Sequence, residues 1–223
     1  LVLLTSSVMA VSVIRLSRYR VLVQQLHSME TLARVDVICL DKTGTLTEGK
    51  MALVKICPAD SCSKEEMEEI IGAITVSSMD ENATMKCLKE ANETKSDWVC
   101  QKQIAFSSSR KFSAFAFEKQ GSFYLGAPEI LFRDNKKIRE FVAPYQSDYR
   151  VLVLAKSKED LTNTPSKLQF LGYLLIEDVI RPEAKDTLSY FKDQGVSVKI
   201  ISGDNVETVL SIAKRVGLLH VSG

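Results

Sequence analysis

Histidine and cysteine are scarce in this chain of 223 residues. There are two histidines, His27 and His220. The five cysteines, Cys39, Cys57, Cys62, Cys87 and Cys100, are odd in number and form no Cys-x-x-Cys pair. Cys57 and Cys62 come nearest to a pair, and neither histidine lies beside them. That argues against a disulfide framework or a zinc site and for reduced thiols in a reducing compartment. Gly 10 and Pro 5 are too few for a fibrous or low-complexity chain. Excess charge is lacking as well: the net value is +1 and the isoelectric point about 7.7, so nothing calls for a nucleic acid partner. What remains is ordinary globular composition, 45% apolar and 26% charged, in one or two domains.

Long apolar runs are lacking too. Leu1 to Ile14 is uncharged, and Arg15, Arg18 and Arg20 follow it. The stretch falls short of the roughly 20 residues a spanning helix needs. Its basic residues follow the apolar run, where a signal peptide has them in front. Two readings stay open. One is the cytoplasmic end of a membrane helix whose first half lies outside the sequence, in line with the positive-inside rule. The other is an amphipathic or buried helix of a soluble protein.

Residues 15–34 read as helix. Val35 to Leu40 is a short, mostly β-branched apolar run, expected as a buried parallel strand, with loop at Gly44 and Gly49. Ser63 and Glu66 form a capping-box pattern, predicting a helix over 64–78. A second helix is expected over 83–91. Phe112, Ala114 and Ala116, then Gly121 with SFYL, predict a hairpin turning at Lys119–Gly121. Pro128 opens a helix, and Val151 to Ala155 is a further strand. Beyond it, 170–176 reads as strand, 182–194 as helix, 196–201 as strand and 206–216 as helix. This β-α-β-α order is that of a parallel doubly wound sheet.

Three of these strands run into polar loops: Asp41-Lys42-Thr43-Gly44-Thr45, Glu177-Asp178-Val179-Ile180-Arg181-Pro182, and Ser202-Gly203-Asp204-Asn205. Parallel strands put their carboxyl ends on one edge, where open α/β sheets bind ligands. One sheet holding all three would bring Asp41, Asp178 and Asp204 together. Such carboxylates beside Thr, Gly and Lys suit phosphate and a hard cation. Lys42, Thr43 and the amides near Gly44 are candidates for stabilising a transferring phosphoryl group.

DKTGTLTEG at 41–49 resembles the phosphorylation motif of the P-type ion-pumping ATPases. Other segments follow in that family's order. Phe106-Ser-Ser-Ser-Arg-Lys111 resembles its adenine-stacking segment, Gly126-Ala-Pro-Glu129 its KGAPE, Asp178-x-x-Arg-Pro182 its D-x-x-R-P and Ser202-Gly-Asp-Asn205 its TGDN. Arg150 stands before VLVLA, where members carry a nucleotide-contacting Arg. The resemblance spans essentially the whole chain. It implies an α/β fold: a haloacid-dehalogenase-like parallel sheet, the phosphorylation domain, interrupted by an α+β nucleotide-binding domain with an antiparallel sheet. The divisions expected are 1–34 for a membrane-helix end and connector, 35–50 and 168–223 for the phosphorylation domain, and 51–167 for the nucleotide-binding domain.

The resemblance also implies roles. Asp41 is the phosphoryl acceptor, with ATP and Mg²⁺ as cofactors. Asp41 and the Thr43 carbonyl are the metal-holding pair. Lys42, Asp178, Arg181, Ser202, Gly203 and Asp204 line the catalytic edge. Phe106 stacks on adenine, Lys111 lies beside phosphate, and Gly126, Arg150 and Asn82 complete the nucleotide pocket. The full protein would be a monomeric integral membrane pump, its catalytic part on the cytoplasmic face of a bacterial plasma membrane. Its cargo would be a cation bound in the membrane part, Ca²⁺ or Mg²⁺ favoured. Neither histidine precedes a proline, as a heavy-metal pump requires.

Departures from the family pattern are informative. Leu125 replaces the KGAPE lysine, Ser108 an arginine common in cation pumps, Ser202 the usual threonine, and Asn82 a frequent glutamate. No GDGxND segment occurs in these residues. Two competing functions therefore stay in view: a catalytically incomplete nucleotide-binding module, and a soluble phosphatase of the same superfamily. Such phosphatases carry a second Asp two residues after the nucleophile, where this chain has Thr43.

Overall fold

The computed structural model describes residues 2–25, 27–92, 96–203 and 206–218. The chain opens with helix α1 (Val2–Arg18). Leu3, Leu4, Val8, Val11 and Ile14 are exposed along it. No helix among the described residues is long and apolar enough to cross a membrane. The helix predicted over 15–34 is interrupted. Arg20 adopts a left-handed φ of 61°. Its amide donates to the Ser17 carbonyl, and that of Val21 to the Leu16 carbonyl. Those are the two bonds of a Schellman stop, which no glycine announced. Helix resumes only as the short α2 (Ser28–Leu32).

Strand β1 (Val37–Asp41) follows, then a wide turn over 42–46 and the long strand β2 (Thr47–Pro58). Helices α3 (Lys64–Ser77) and α4 (Ala83–Ala91) come next. Both start on side-chain caps: Ser63 Oγ accepts from the Glu66 amide, and Asn82 Oδ1 from the Met85 amide. Strands β3 (Cys100–Ile104), β4 (Phe112–Phe117) and β5 (Gly121–Gly126) lead to α5 (Pro128–Leu131) and α6 (Lys136–Val142). Strands β6 (Arg150–Ser157) and β7 (Gln169–Ile180), helix α7 (Ala184–Asp193), strand β8 (Ser197–Ile201) and helix α8 (Val206–Arg215) complete the described fold.

Strands β2 to β7 form one antiparallel sheet in the order β2-β7-β6-β5-β4-β3. Alternate residues feed two cores. Phe115, Phe117, Phe123, Leu125, Leu174 and Ile176 face Met67, Ile70, Ile74 and Leu88 of α3 and α4. Phe112, Tyr124, Val153, Tyr173 and Leu175 face Leu131, Phe132 and Val142 on the other side. The sheet is thus the middle layer of a sandwich.

β1 and β8 pair in parallel as a separate two-stranded sheet, with Asp41 opposite Ile201. One face packs through Leu40, Val198 and Ile200 on Leu188, Ile212 and Val216. On the other, Val37 is 42% and Ile201 62% exposed.

Two further sequence expectations need correction. The strand over 170–176 was predicted parallel, beside the strands that became β1 and β8. It is instead antiparallel to β2 and β6. Helices cover both of its faces, so it is apolar throughout, the pattern that elsewhere marks a parallel strand. The loop expected after Gly49 is mostly β2. Register breaks at Thr47/Met51 and Leu53/Lys55 destroy the alternation that would have revealed it.

Candidate active site

β1 delivers Asp41 to its carboxyl end, and the parallel partner β8 brings Ser202 and Gly203 to the same edge. Asp41 and Thr43 are exposed, and Ser202 is half-buried. The turn between them is fixed internally. Gly44 holds a left-handed φ of 78°, which a side chain would strain. Thr47 Oγ1 accepts from the Gly44 amide at 3.3 Å and donates to the Lys42 carbonyl at 3.4 Å.

The end of β7 locks the turn from outside. The Arg181 amide donates to the Leu46 carbonyl at 3.0 Å, and Arg181 Nη2 to the Gly44 carbonyl at 3.0 Å. Lys42 Nζ lies 2.6 Å from Asp178 Oδ2. Asp41 and Asp178 segments therefore do converge, although Asp178 arrives on an antiparallel strand. Lys42 is only 3% exposed, so its ammonium ties two segments together rather than standing in open space for a transferring group. Asp204 and Asn205 lie outside the described residues, so the third carboxylate stays an expectation.

A cavity of about 890 Å³ opens beside this edge. It reaches from Phe106, Lys111 and Arg150 on the antiparallel side to Asp178 and Gly203 on the other. Asn82 and Gly126 also line it, as do Ser108 and Leu125. All five residues expected to hold a nucleotide thus share one space.

Local chemistry explains how they come to stand there. Phe106 is 42% exposed, its amide donating to Asp80 Oδ2 at 3.1 Å. An apolar ring kept half out of the core offers a flat stacking surface. Lys111 is left-handed at φ 54°, uncommon for a residue with a side chain. Its amide donates to the Ser107 carbonyl at 2.7 Å and its carbonyl accepts from the Ala127 amide at 3.0 Å. A Cβ on Gly126 would come within 2.3 Å of Phe112 Cβ and 2.7 Å of the Lys111 carbonyl oxygen. The Gly-Ala-Pro segment therefore braces Lys111 by close backbone approach. The Lys111 ammonium pairs with Glu129 of the same segment at 3.3 Å. Asn82 contributes chiefly through the α4 cap.

Some lining residues had no sequence signal. Tyr149, Thr208 and Arg215 line the cavity because of how the segment before β6 and helix α8 pack. None of the three belongs to a motif, whereas Glu129 and Glu177, which also line the cavity, stand in segments the sequence had marked. No three of His, Cys, Asp and Glu gather into a metal cluster among the described residues.

A family model described as haloacid dehalogenase-like hydrolase matches residues 35–222. The chain belongs to the haloacid dehalogenase-like hydrolases. Over 222 residues it is 37% identical to the calcium-transporting ATPase CtpE of Mycobacterium bovis, covering 98% of this chain and 28% of that one. It is 40% identical over 220 residues to the probable cation-transporting ATPase exp7 of Streptococcus pneumoniae serotype 4, covering 96% of this chain and 28% of that one. The chain therefore spans 28% of the length of these relatives. Among solved structures, a zinc-transporting PIB-type ATPase in the E2.Pi state is similar with a TM-score of 0.68 over 88% of this chain and 30% of that one. At 20% identity that likeness speaks for the fold alone. The kinship with P-type ATPases thus extends well beyond the motifs, along nearly the whole chain.

Proposed function

We propose that this haloacid dehalogenase-like chain is the catalytic region of an ATP-driven cation pump. The single observation that carries the reading is the continuous cavity from Phe106 and Lys111 to Asp178 and Gly203, whose Asp178 pairs with Lys42, the residue after Asp41. Adenine stacks on Phe106, and Lys111 and Arg150 meet the phosphate chain. An Asp41 carboxylate oxygen attacks the γ-phosphorus, and the bond from that phosphorus to the β,γ-bridging oxygen breaks. ADP leaves with the electron pair, and Asp41 holds the phosphoryl group.

The turn contributes order rather than a proton. Its carbonyls are bound by Arg181 and Thr47, so Asp41 stands on a rigid edge. Thr43 in place of a second Asp leaves no general base two residues on, which favours a phosphoenzyme that persists. Mg²⁺ fits this edge through the Asp41 carboxylate and the Thr43 carbonyl, since it keeps several waters and phosphate oxygens as ligands. Its chemistry when bound is neutralisation of charge between the carboxylate and phosphate.

The cargo is a cation, with Ca²⁺ favoured because relatives at 36–37% identity are named calcium-transporting ATPases. The exposed apolar helix α1 then belongs to the membrane side of the pump. The test is transfer of label from γ-labelled ATP to a longer protein carrying this chain, with Mg²⁺ and each candidate cation. Acid-stable label removed by hydroxylamine is expected, and Asp41→Asn should abolish it. Unchanged labelling in Asp41→Asn, or no label while ATP still binds, would overturn the reading.

A further inference from the structure

Three cations line the large cavity: Lys111, Arg150 and Arg215. The first two come from the antiparallel sandwich. Arg215 comes from α8, on the opposite side, and belongs to none of the motifs. Thr208, Ile212 and Arg215 follow at helical spacings of four and three, so one stripe of α8 faces the cavity. Arg215 Nη1 lies 3.0 Å from Glu177 Oε2, and Glu177 directly precedes the Asp178 that binds Lys42. One step along α8, Ser211 Oγ donates to Asp148 Oδ1 at 2.7 Å. Asp148 precedes Tyr149 and Arg150, which also line the cavity. The helix is therefore pinned at two points beside the nucleotide space.

We propose that Arg215 is a phosphate-binding residue of the nucleotide site, held by Glu177 until a nucleoside di- or triphosphate takes its place. The inference deepens the nucleotide reading above and rests on it. A guanidinium presents its donors as a planar fork that matches phosphate oxygens, and the contact with Glu177 uses Nη1. Four acids, Glu129, Asp148, Glu177 and Asp178, share the cavity wall with the three cations. A polyphosphate entering such a site gains little unless cations exchange partners, Lys111 leaving Glu129 and Arg215 leaving Glu177. Leu125, buried at 3% exposure, supplies no charge from β5. Arg215 meets the same need from the far wall, and a ligand held by both Phe106 and Arg215 ties the two sides of the cavity together.

The test is calorimetric titration of this chain with ATP, ADP and adenosine. Arg215→Ala should weaken ATP and ADP about tenfold, the scale of one charge-assisted hydrogen-bonded contact, and leave adenosine unchanged. Arg215→Lys, which keeps the charge without the fork, should recover part of the loss. Glu177→Gln should tighten ATP, since the competing carboxylate is gone. An Arg215→Ala protein that binds ATP like the parent, or that loses ATP and adenosine equally, overturns the inference. If ATP binding disappears with Phe106→Ala yet is untouched by Arg215→Ala, only the role of Arg215 fails. A parent chain that binds no nucleotide sinks both readings.

Discussion

The antiparallel sandwich and the parallel pair are built on opposite terms. In the sandwich, both faces of the sheet are covered, and Phe115, Tyr124, Leu154 and Leu174 are wholly buried. In the parallel pair one face is packed and the other carries Val37, Cys39 and Ile201 in contact with solvent. A two-stranded sheet is marginal by itself. Here its carboxyl edge is tied to the sandwich by β2 and β7, by Arg181 on the turn and by the Lys42–Asp178 pair. The edge that carries Asp41 thus stands on the less covered element and draws its order from the more covered one.

The largest test of this contrast lies in the cores. Phe115→Ala should cost about 3–5 kcal/mol in urea unfolding, because a fully buried ring leaves a cavity between two layers. Val37→Ala, on the bare face, should stay within about 0.5 kcal/mol. Equal costs would break the comparison.

A smaller effect is expected at the junction. Lys42→Met leaves Asp178 without its buried partner and should cost about 3 kcal/mol, the low end for a broken buried pair because Asp178 is 18% exposed. Adding Asp178→Leu should recover part of that loss. Strict additivity would mean the pair does not couple the two regions.

The smallest effect is alkaline. Burial, with the nearby Glu66 carboxylate, raises the Cys62 thiol from 9.0 to about 11. Burial also raises Cys87, Tyr124 and Tyr173, all in the sandwich. These groups stay protonated in the folded state while the unfolded chain loses its protons first. The Cys62 contribution is complete below pH 9 and falls away between about pH 9 and 11, while that of the tyrosines is complete below pH 10 and declines above it. The urea midpoint should decline across that window, and a flat midpoint would mean the groups are not held neutral by the core.

Local chemistry was legible in advance. The Ser63 cap, the helix over 83–91 and the turn at Gly121 came out as expected, because each depends on residues three or four apart. That the five residues expected at a nucleotide pocket line one cavity could be anticipated only from their order along the chain, since a lone Phe106 or Arg150 has no signature. Helix α6 was missed, its seven residues too short for a clear period.

The caps, the turns and the polar loop that follows Asp41 are written locally, since their physics is confined to neighbouring residues. Long-range packing is what sets β7 antiparallel, turns Lys42 inward to Asp178 and brings Arg215 to the cavity. A strand's partner and a side chain's environment are set by segments more than a hundred residues away in the chain for Lys42 and Asp178. No local pattern contains that information, because the same apolar run is satisfied by either direction of neighbour once both of its faces are covered.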